Sequence, residues 1–189
     1  GLNPVIACEL EFYIFDKRAS PSDPPIPPIR DPKAQNYDLE VLNRNKDFLN
    51  EVQSASKSLG LPVDAIIAEF GPGQFEINFR HTQNVLDAGD AAVFFRRLVR
   101  GVAENHGKEA TFIAKPYVEF PGNGMHVHVS MLNEIGENVF KSAVGLPDTL
   151  KWAVGGLLNT MHELQAIYAP HLNSYRRFRS NSFAPCSPD

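Results

Sequence analysis

The run Gly122-Asn123-Gly124-Met125-His126-Val127-His128-Val129-Ser130-Met131 alternates polar and apolar side chains, an order with the period of two that defines an extended strand. It predicts a strand with His126, His128 and Ser130 on one face and Met125, Val127, Val129 and Met131 on the other. Gly122 and Gly124 precede it and let the backbone bend sharply or approach a ligand closely. Taken alone, His-x-His is also the ordinary pattern of a half-buried strand with a polar outer face. Its meaning depends on what the other strands bring to the same face.

Pro4 to Phe15 supplies one such strand, with Leu10, Phe12 and Ile14 on one face and Glu9, Glu11, Tyr13 and Phe15 on the other. Two carboxylates side by side among aromatics repel each other and resist desolvation, and a bound cation relieves both costs. A solvated acidic edge strand is the alternative. Further on, Asp64–Phe70 and Gln74–Arg80 read as a hairpin around Gly71-Pro72-Gly73. A loop centred between Pro72 and Gly73 sets Glu69 directly opposite Glu76, with Arg80 able to neutralise Glu76.

The remaining elements are helices and connections. Pro21, Pro24, Pro25, Pro27, Pro28 and Pro32 make Ser20–Pro32 an extended surface loop. A helix follows Tyr37-Asp38-Leu39-Glu40, with Phe48, Leu49, Val52, Ala55 and Leu59 inward and Gly60 after its C-cap. Val85–Asn105 forms a second, with Ala91, Phe94, Phe95, Leu98 and Val102 inward, ended by Gly107. Thr111–Lys115 is a strand. Asp148 caps a third helix whose stripe of Leu150, Ala153, Leu157, Met161, Leu164 and Tyr168 runs to Pro170. This order predicts an α+β domain, an antiparallel or mixed curved sheet covered by helices.

Composition bounds the function. A chain of 189 residues with net charge −4 has bulk for one core and gives no reason to expect nucleic acid or an anionic membrane as partner. No apolar run is long enough to span a bilayer. Cys8 and Cys186 do not make a disulfide framework, so a reducing, cytoplasmic setting is expected. A first residue that is Gly rather than Met, and an end at Ser187-Pro188-Asp189, suggest a piece of a longer protein.

Glu9, Glu11, Glu69, Glu76 and His126 are thus five potential ligands on strands, and carboxylates with one imidazole suit Mg²⁺ or Mn²⁺. Two ions among so many acids would clamp nucleotide phosphates, a task for which the chain offers no Walker loop. Zinc hydrolysis at His126-x-His128 is a competing reading that needs more imidazole ligands, whereas His81, His106, His162 and His171 fall in loop or helix contexts.

Glu9-x-Glu11, Glu69-Phe-Gly-Pro-Gly-Gln-Phe-Glu76, Lys115-Pro116, Gly122 to Ser130 and Asn173-Ser-Tyr-Arg-Arg177-Phe together resemble the catalytic domain of glutamine synthetase. Arg177 to Pro185 is more similar to the γ-glutamylpolyamine synthetase branch, which joins glutamate to amines. The resemblance implies that residues 1–189 are part of that catalytic domain, without the smaller N-terminal β-grasp domain and the C-terminal part. It implies ATP as co-substrate, phosphorylation of the glutamate γ-carboxylate, displacement of phosphate by an amine or polyamine, and a homo-oligomeric whole protein. One metal would be held by Glu11, Glu69 and Glu76, and another by Glu9 and His126 with a glutamate beyond Asp189. His128 and Ser130 match nucleotide-contacting positions, Gly122 lies in the glutamate loop, and Arg177 matches an arginine that grips the substrate carboxylate.

Two departures point to the acceptor. Pro121 stands where ammonia-using members carry an asparagine, and Phe183 where they carry a flap glutamate that helps deprotonate ammonium. An aromatic ring with Tyr37 beside it favours an organic amine, leaving deprotonation to Glu69 or to an aspartate of the absent domain. Ordinary glutamine synthesis from ammonia, and a noncatalytic binding descendant of the fold, are the alternatives; the isolated piece is expected to be inactive.

Overall fold

The computed structural model describes residues 1–33 and 35–179; Phe183 and Cys186 lie outside them. Its framework is the strand β1 (Asn3–Asp16), which has partners along both edges. On one edge runs β3 (Gln74–Phe79), itself paired with β2 (Val63–Ala68). The other edge is shared: β5 (Met125–Leu132) takes residues 3–10, and β4 (Lys108–Thr111) takes residues 13–16. Every pairing is antiparallel, so of the two sheet types expected the antiparallel one is present.

Alternation sorts the side chains as the sequence predicts. Leu10, Phe12, Ile14, Phe75, Ile77 and Phe79 are buried on one face beneath α2 (Lys46–Ser58) and α3 (Val85–Asn105). Phe12 lies within 5.2–6.2 Å, centroid to centroid, of Phe75, Phe95 and Phe112. Each fully buried aromatic or aliphatic side chain here contributes about 1.5–3 kcal/mol of transfer free energy, so this layer holds the sheet flat against its helices and leaves the opposite face free for polar groups.

Four expectations need correction. The first helix is two: α1 (Leu39–Arg44) ends at Asn45, whose side-chain amide donates to the Val41 carbonyl (2.9 Å), and α2 begins after it. Leu59 is its C-cap and is 64% exposed, whereas Gly60 does take the left-handed φ of +69°. In α3 the buried stripe is Ala88, Ala91, Ala92, Phe95, Val99 and Val102, and Phe94 points outward. Its 100° step away from Phe95 is too large for both rings to face the sheet. The strand expected at residues 111–115 is instead β4, because Gly107 at φ +64° turns the chain straight into pairing with β1. The last helix is broken into α4 (Asp148–Thr160) and the short α5 (Gln165–Tyr168), Pro147 rather than Asp148 occupies the N-cap, and no residue of either is buried. Its apolar stripe has nothing to cover among the described residues, and the apolar side of β5 is likewise exposed at Met125, Val127 and Val129. No described helix is long and apolar enough to cross a membrane.

Closest packing occurs at the β2–β3 turn. A Cβ on Gly71 would lie 2.0 Å from the Oη of Tyr13, and Tyr13 is fully buried with its hydroxyl donating to the Pro121 carbonyl (2.8 Å). Gly71→Ala should therefore destabilise the protein by about 3 kcal/mol or more, read as a fall in Tm of roughly 6–12 °C. A Tm within about 2 °C of the parent would show that the ring can move aside.

Candidate metal and substrate site

The polar face of the sheet is assembled by register. Glu11 lies opposite Glu76, Glu9 opposite Asn78 on β3, and Glu9 opposite His126 on β5. Glu9 and Glu76 are therefore diagonal neighbours, and the ligand atoms of Glu9, Glu76 and His126 lie within 4.8 Å of one another. His126 Nδ1 is 3.2 Å from Glu9 Oε2. His128, two residues along the same face, puts Nε2 2.9 Å from Glu9 Oε1, so one carboxylate spans both imidazoles. Ser130 pairs with Val5, about 13 Å along the strand from His126.

Glu69 reaches this group differently from the sequence expectation. Its backbone N–H donates to the Gln74 carbonyl (2.9 Å), and Ile67 rather than Glu69 faces Glu76. The turn closes two places earlier than symmetry about Pro72 and Gly73 requires, because the Gln74 N–H bonds the Gly71 carbonyl (2.9 Å) while Gly73 adopts φ +74°. A shift of two keeps side-chain parity, so Glu69 and Glu76 remain on one face as diagonal neighbours, roughly 7–8 Å apart at Cβ. Arg80 does not neutralise Glu76; its Nε is 3.3 Å from Asp64, beyond the site.

The electrostatics follow from this crowding. Burial, then the charges of Glu9, Glu11 and Glu69, push the Glu76 carboxyl up to about 7, against the opposing influence of His126. Glu69 is pushed up by burial and Glu11, and is held down by the Phe70 backbone N–H and by His126. Glu76 finds one neutral partner, with Asn78 Nδ2 donating to it at 2.7 Å. Ligands around Mg²⁺ at about 2.1 Å are at most about 4.2 Å apart, so Glu9, Glu76 and His126, already within 4.8 Å of one another, would draw closer around such an ion. A hard cation is what this oxygen-rich set lacks electrostatically.

Several residues that build the site were missed by sequence reasoning. Gln74, 1% exposed, divides its amide between Glu11 Oε2 (3.2 Å), the Gly122 carbonyl (3.1 Å) and Asn123 Oδ1 (3.2 Å), while its own oxygen accepts from the Gly71 N–H (3.1 Å). Glu11 Oε2 also accepts from the Gly124 N–H (2.9 Å). Buried Asn123 reaches back to the carbonyls of Thr111 (3.2 Å) and Ile113 (3.0 Å). Lys115 is buried with Nζ on the Phe120 carbonyl (2.5 Å), and burial followed by the charge of Arg177 pushes its pKa down. Asn173 clamps the Lys115 backbone from both sides (2.6 and 2.9 Å). Gln74 alternates with Phe75 onto the same polar face as Glu76 and Asn78, so nothing in the strand pattern signalled that it would be buried.

Arg177 and Gly122 are neighbours. Arg177 Nη1 donates to the Asn123 carbonyl (2.8 Å), and a Cβ on Gly122 would meet the Ala114 carbonyl at 2.4 Å and Arg177 Nε at 3.0 Å. The guanidinium borders an open cavity of about 1060 Å³ reaching Glu11, Gly124, Arg100 and Tyr168. Tyr37 is not brought to this wall: its ring is 61% exposed and its backbone, at φ +60°, donates to Ala68 (2.9 Å).

Fold and site define the class: an α+β domain whose antiparallel sheet presents a carboxylate and imidazole group suited to a hard divalent ion. The family described as glutamine synthetase, catalytic domain, matches residues 1–189, and the chain belongs to that family. It is 44% identical over 192 residues to the γ-glutamylputrescine synthetase of Escherichia coli, an alignment covering 98% of this chain and 41% of that protein. With the glutamine synthetase of Pyrococcus horikoshii it shares 38% identity over 185 residues, covering 98% and 40%. The solved structure of apo GmaS without ligand superposes with TM-score 0.80 at 33% identity, over 95% of this chain and 42% of that one. The chain spans about two fifths of the length of these relatives.

The raised Glu76 carboxyl has a consequence for stability. A carboxyl whose folded pKa exceeds its unfolded value binds an extra proton when folded, so stability is greatest below about 4.5 and declines as pH rises through about 7. Glu76→Gln should raise the metal-free Tm at pH 8 by several degrees, with the gain vanishing near pH 4.5, and should blunt stabilisation by Mn²⁺. An identical Tm–pH profile in the variant would show that the carboxyl is not strained.

Proposed function

We propose that this chain is the metal- and glutamate-binding part of an ATP-dependent ligase that joins the γ-carboxylate of glutamate to an amine or polyamine through a γ-glutamyl phosphate. What carries the reading is the convergence of Glu9, Glu76 and His126 within 4.8 Å, beside Glu11 and Glu69, in a chain that matches the family along its whole length. Glu11, Glu69 and Glu76 would hold one divalent ion, Mg²⁺ or Mn²⁺, and Glu9 with His126 another. Bound there, such ions supply positive charge to the nucleotide phosphates and the transferring phosphoryl group.

The chain's own residues account for the rest. Arg177, braced on the Asn123 carbonyl beside Gly122, would grip the glutamate carboxylate through its guanidinium. Lys115, Asn123 and Asn173 hold the loop that presents Gly122, so the carboxylate meets a preformed frame. His128 and Ser130, farther along β5, would contact the nucleotide. Glu69 is proposed also to take the proton of the incoming amine. Tyr37, bonded to the residue before Glu69, and Phe183 would line the acceptor side.

An organic amine is favoured by Phe183, which leaves the flap without a carboxylate, and by 44% identity to a γ-glutamylputrescine synthetase. Ammonia is the second reading, supported by 38% identity to an archaeal glutamine synthetase. The whole protein is proposed to be cytoplasmic and homo-oligomeric. Comparing kcat/KM of the full-length enzyme for ammonium, ethanolamine, putrescine and spermine decides between the acceptors. An organic amine should win by at least tenfold, a difference of about 1.4 kcal/mol, and Phe183→Glu should move the preference toward ammonium. If ammonium is the best acceptor of the parent enzyme, the amine-ligase reading fails.

A further inference from the structure

The segment between β1 and α1 is rich in proline and has no hydrophobic anchor, with Ile26 75% and Ile29 99% exposed. It nevertheless follows a defined path, held by discrete contacts. Arg18, in a bidentate pair with Glu109, donates to the carbonyls of Pro21 (3.0 Å) and Asp23 (2.9 Å) at its start. Asp31 pairs with Arg44 at 3.0 Å near its end. Between these ties it touches one part of the sheet, the turn carrying Glu69. Pro28 sits where a Cβ on Gly73 would be, 2.9 Å away, and the Arg30 guanidinium lies over the Phe70 ring, 3.8 Å from its centroid. Just beyond, the Tyr37 N–H bonds the Ala68 carbonyl. The contacts flank Glu69 on both sides.

We infer that the described residues of this segment, 21–33 and 35–37, act as a strap that positions Glu69, with Arg30 as the positioning residue that works through Phe70. Phe70 follows Glu69 directly in the turn, so what fixes the Phe70 ring and the flanking Ala68 and Gly73 also restricts the backbone that carries the Glu69 carboxylate. From the inner side the turn is held by Gln74 through the Gly71 N–H; the strap holds it from the outer side. Proline suits this task because a chain with fixed φ loses little further entropy when it is pinned at a few points. A guanidinium over an aromatic face contributes about 0.5–1 kcal/mol at a partly exposed site, little for folding but enough to bias one carboxylate rotamer.

The inference rests on the ligase reading for the role of Glu69, and its test separates the two. In the full-length protein, Tm is measured without metal and across a Mn²⁺ titration for the parent, Arg30→Ala, Arg30→Lys, Phe70→Leu and the Arg30→Ala/Phe70→Leu double variant. Metal-free Tm should stay within about 2 °C of the parent, as for other surface substitutions. The Mn²⁺ concentration giving half of the Tm rise should increase about two- to fivefold in Arg30→Ala and in Phe70→Leu. Arg30→Lys should fall between parent and alanine, and the double variant should be no worse than the weaker single. A lowered metal-free Tm with unchanged Mn²⁺ dependence, or additive effects in the double variant, would overturn the strap. A parent that does not respond to Mn²⁺ would sink the metal assignment, and the strap with it; a responsive parent matched by Arg30→Ala would sink the strap alone.

Discussion

Repulsion among Glu9, Glu11, Glu69 and Glu76 is the constraint on which the rest of this structure depends. Burial and the charges of its three acidic neighbours push the Glu76 carboxyl up to about 7, so ionising all four acids at once is costly. A sheet would avoid such a face unless something enforced it. Here the other face enforces it: the Phe12, Phe75 and Phe95 layer sets the register of β1 on β3, and a one-residue slip of β1 would turn Leu10, Phe12 and Ile14 away from that layer. Hydrophobic packing on one side therefore prepares an electrostatically unfavourable arrangement on the other.

Neutral hydrogen-bond donors make the arrangement tolerable. Gln74, Asn78 and the Gly124 N–H each donate to an acid of the group, and none carries a charge that would compete with a cation for it. An arginine in their place would quench the acids and close the site. The same Gln74 amide reaches the Gly122 carbonyl and the Asn123 side chain, so the acidic face and the Arg177 frame share one hydrogen-bond network.

Unsatisfied apolar surface points the same way. Leu157 and Met161 at the end of α4 and Met125, Val127 and Val129 of β5 are exposed, although their spacing is that of buried faces. The chain spans about two fifths of the length of the relatives it matches, and among the described residues nothing packs on these faces. The periodicity of α4 was therefore legible as amphipathic while its burial was not, since burial depends on a partner and not on spacing.

What the amino-acid order determined by itself was parity. Alternation put Glu9 with Glu11, His126 with His128, and Phe12 with Leu10, because a strand offers only two faces. Register was decided by the tertiary structure. Glu69 lies opposite Gln74 rather than Glu76 because the Gly71–Gln74 turn closes there, and helix formation stops at Asn45 because its side chain bonds the backbone. Gln74 became central only once β1 and the 121–124 loop met over it. Such contacts join residues 48 to 63 positions apart, and no local pattern encodes which distant carbonyl an amide will find; that choice belongs to the packed sheet.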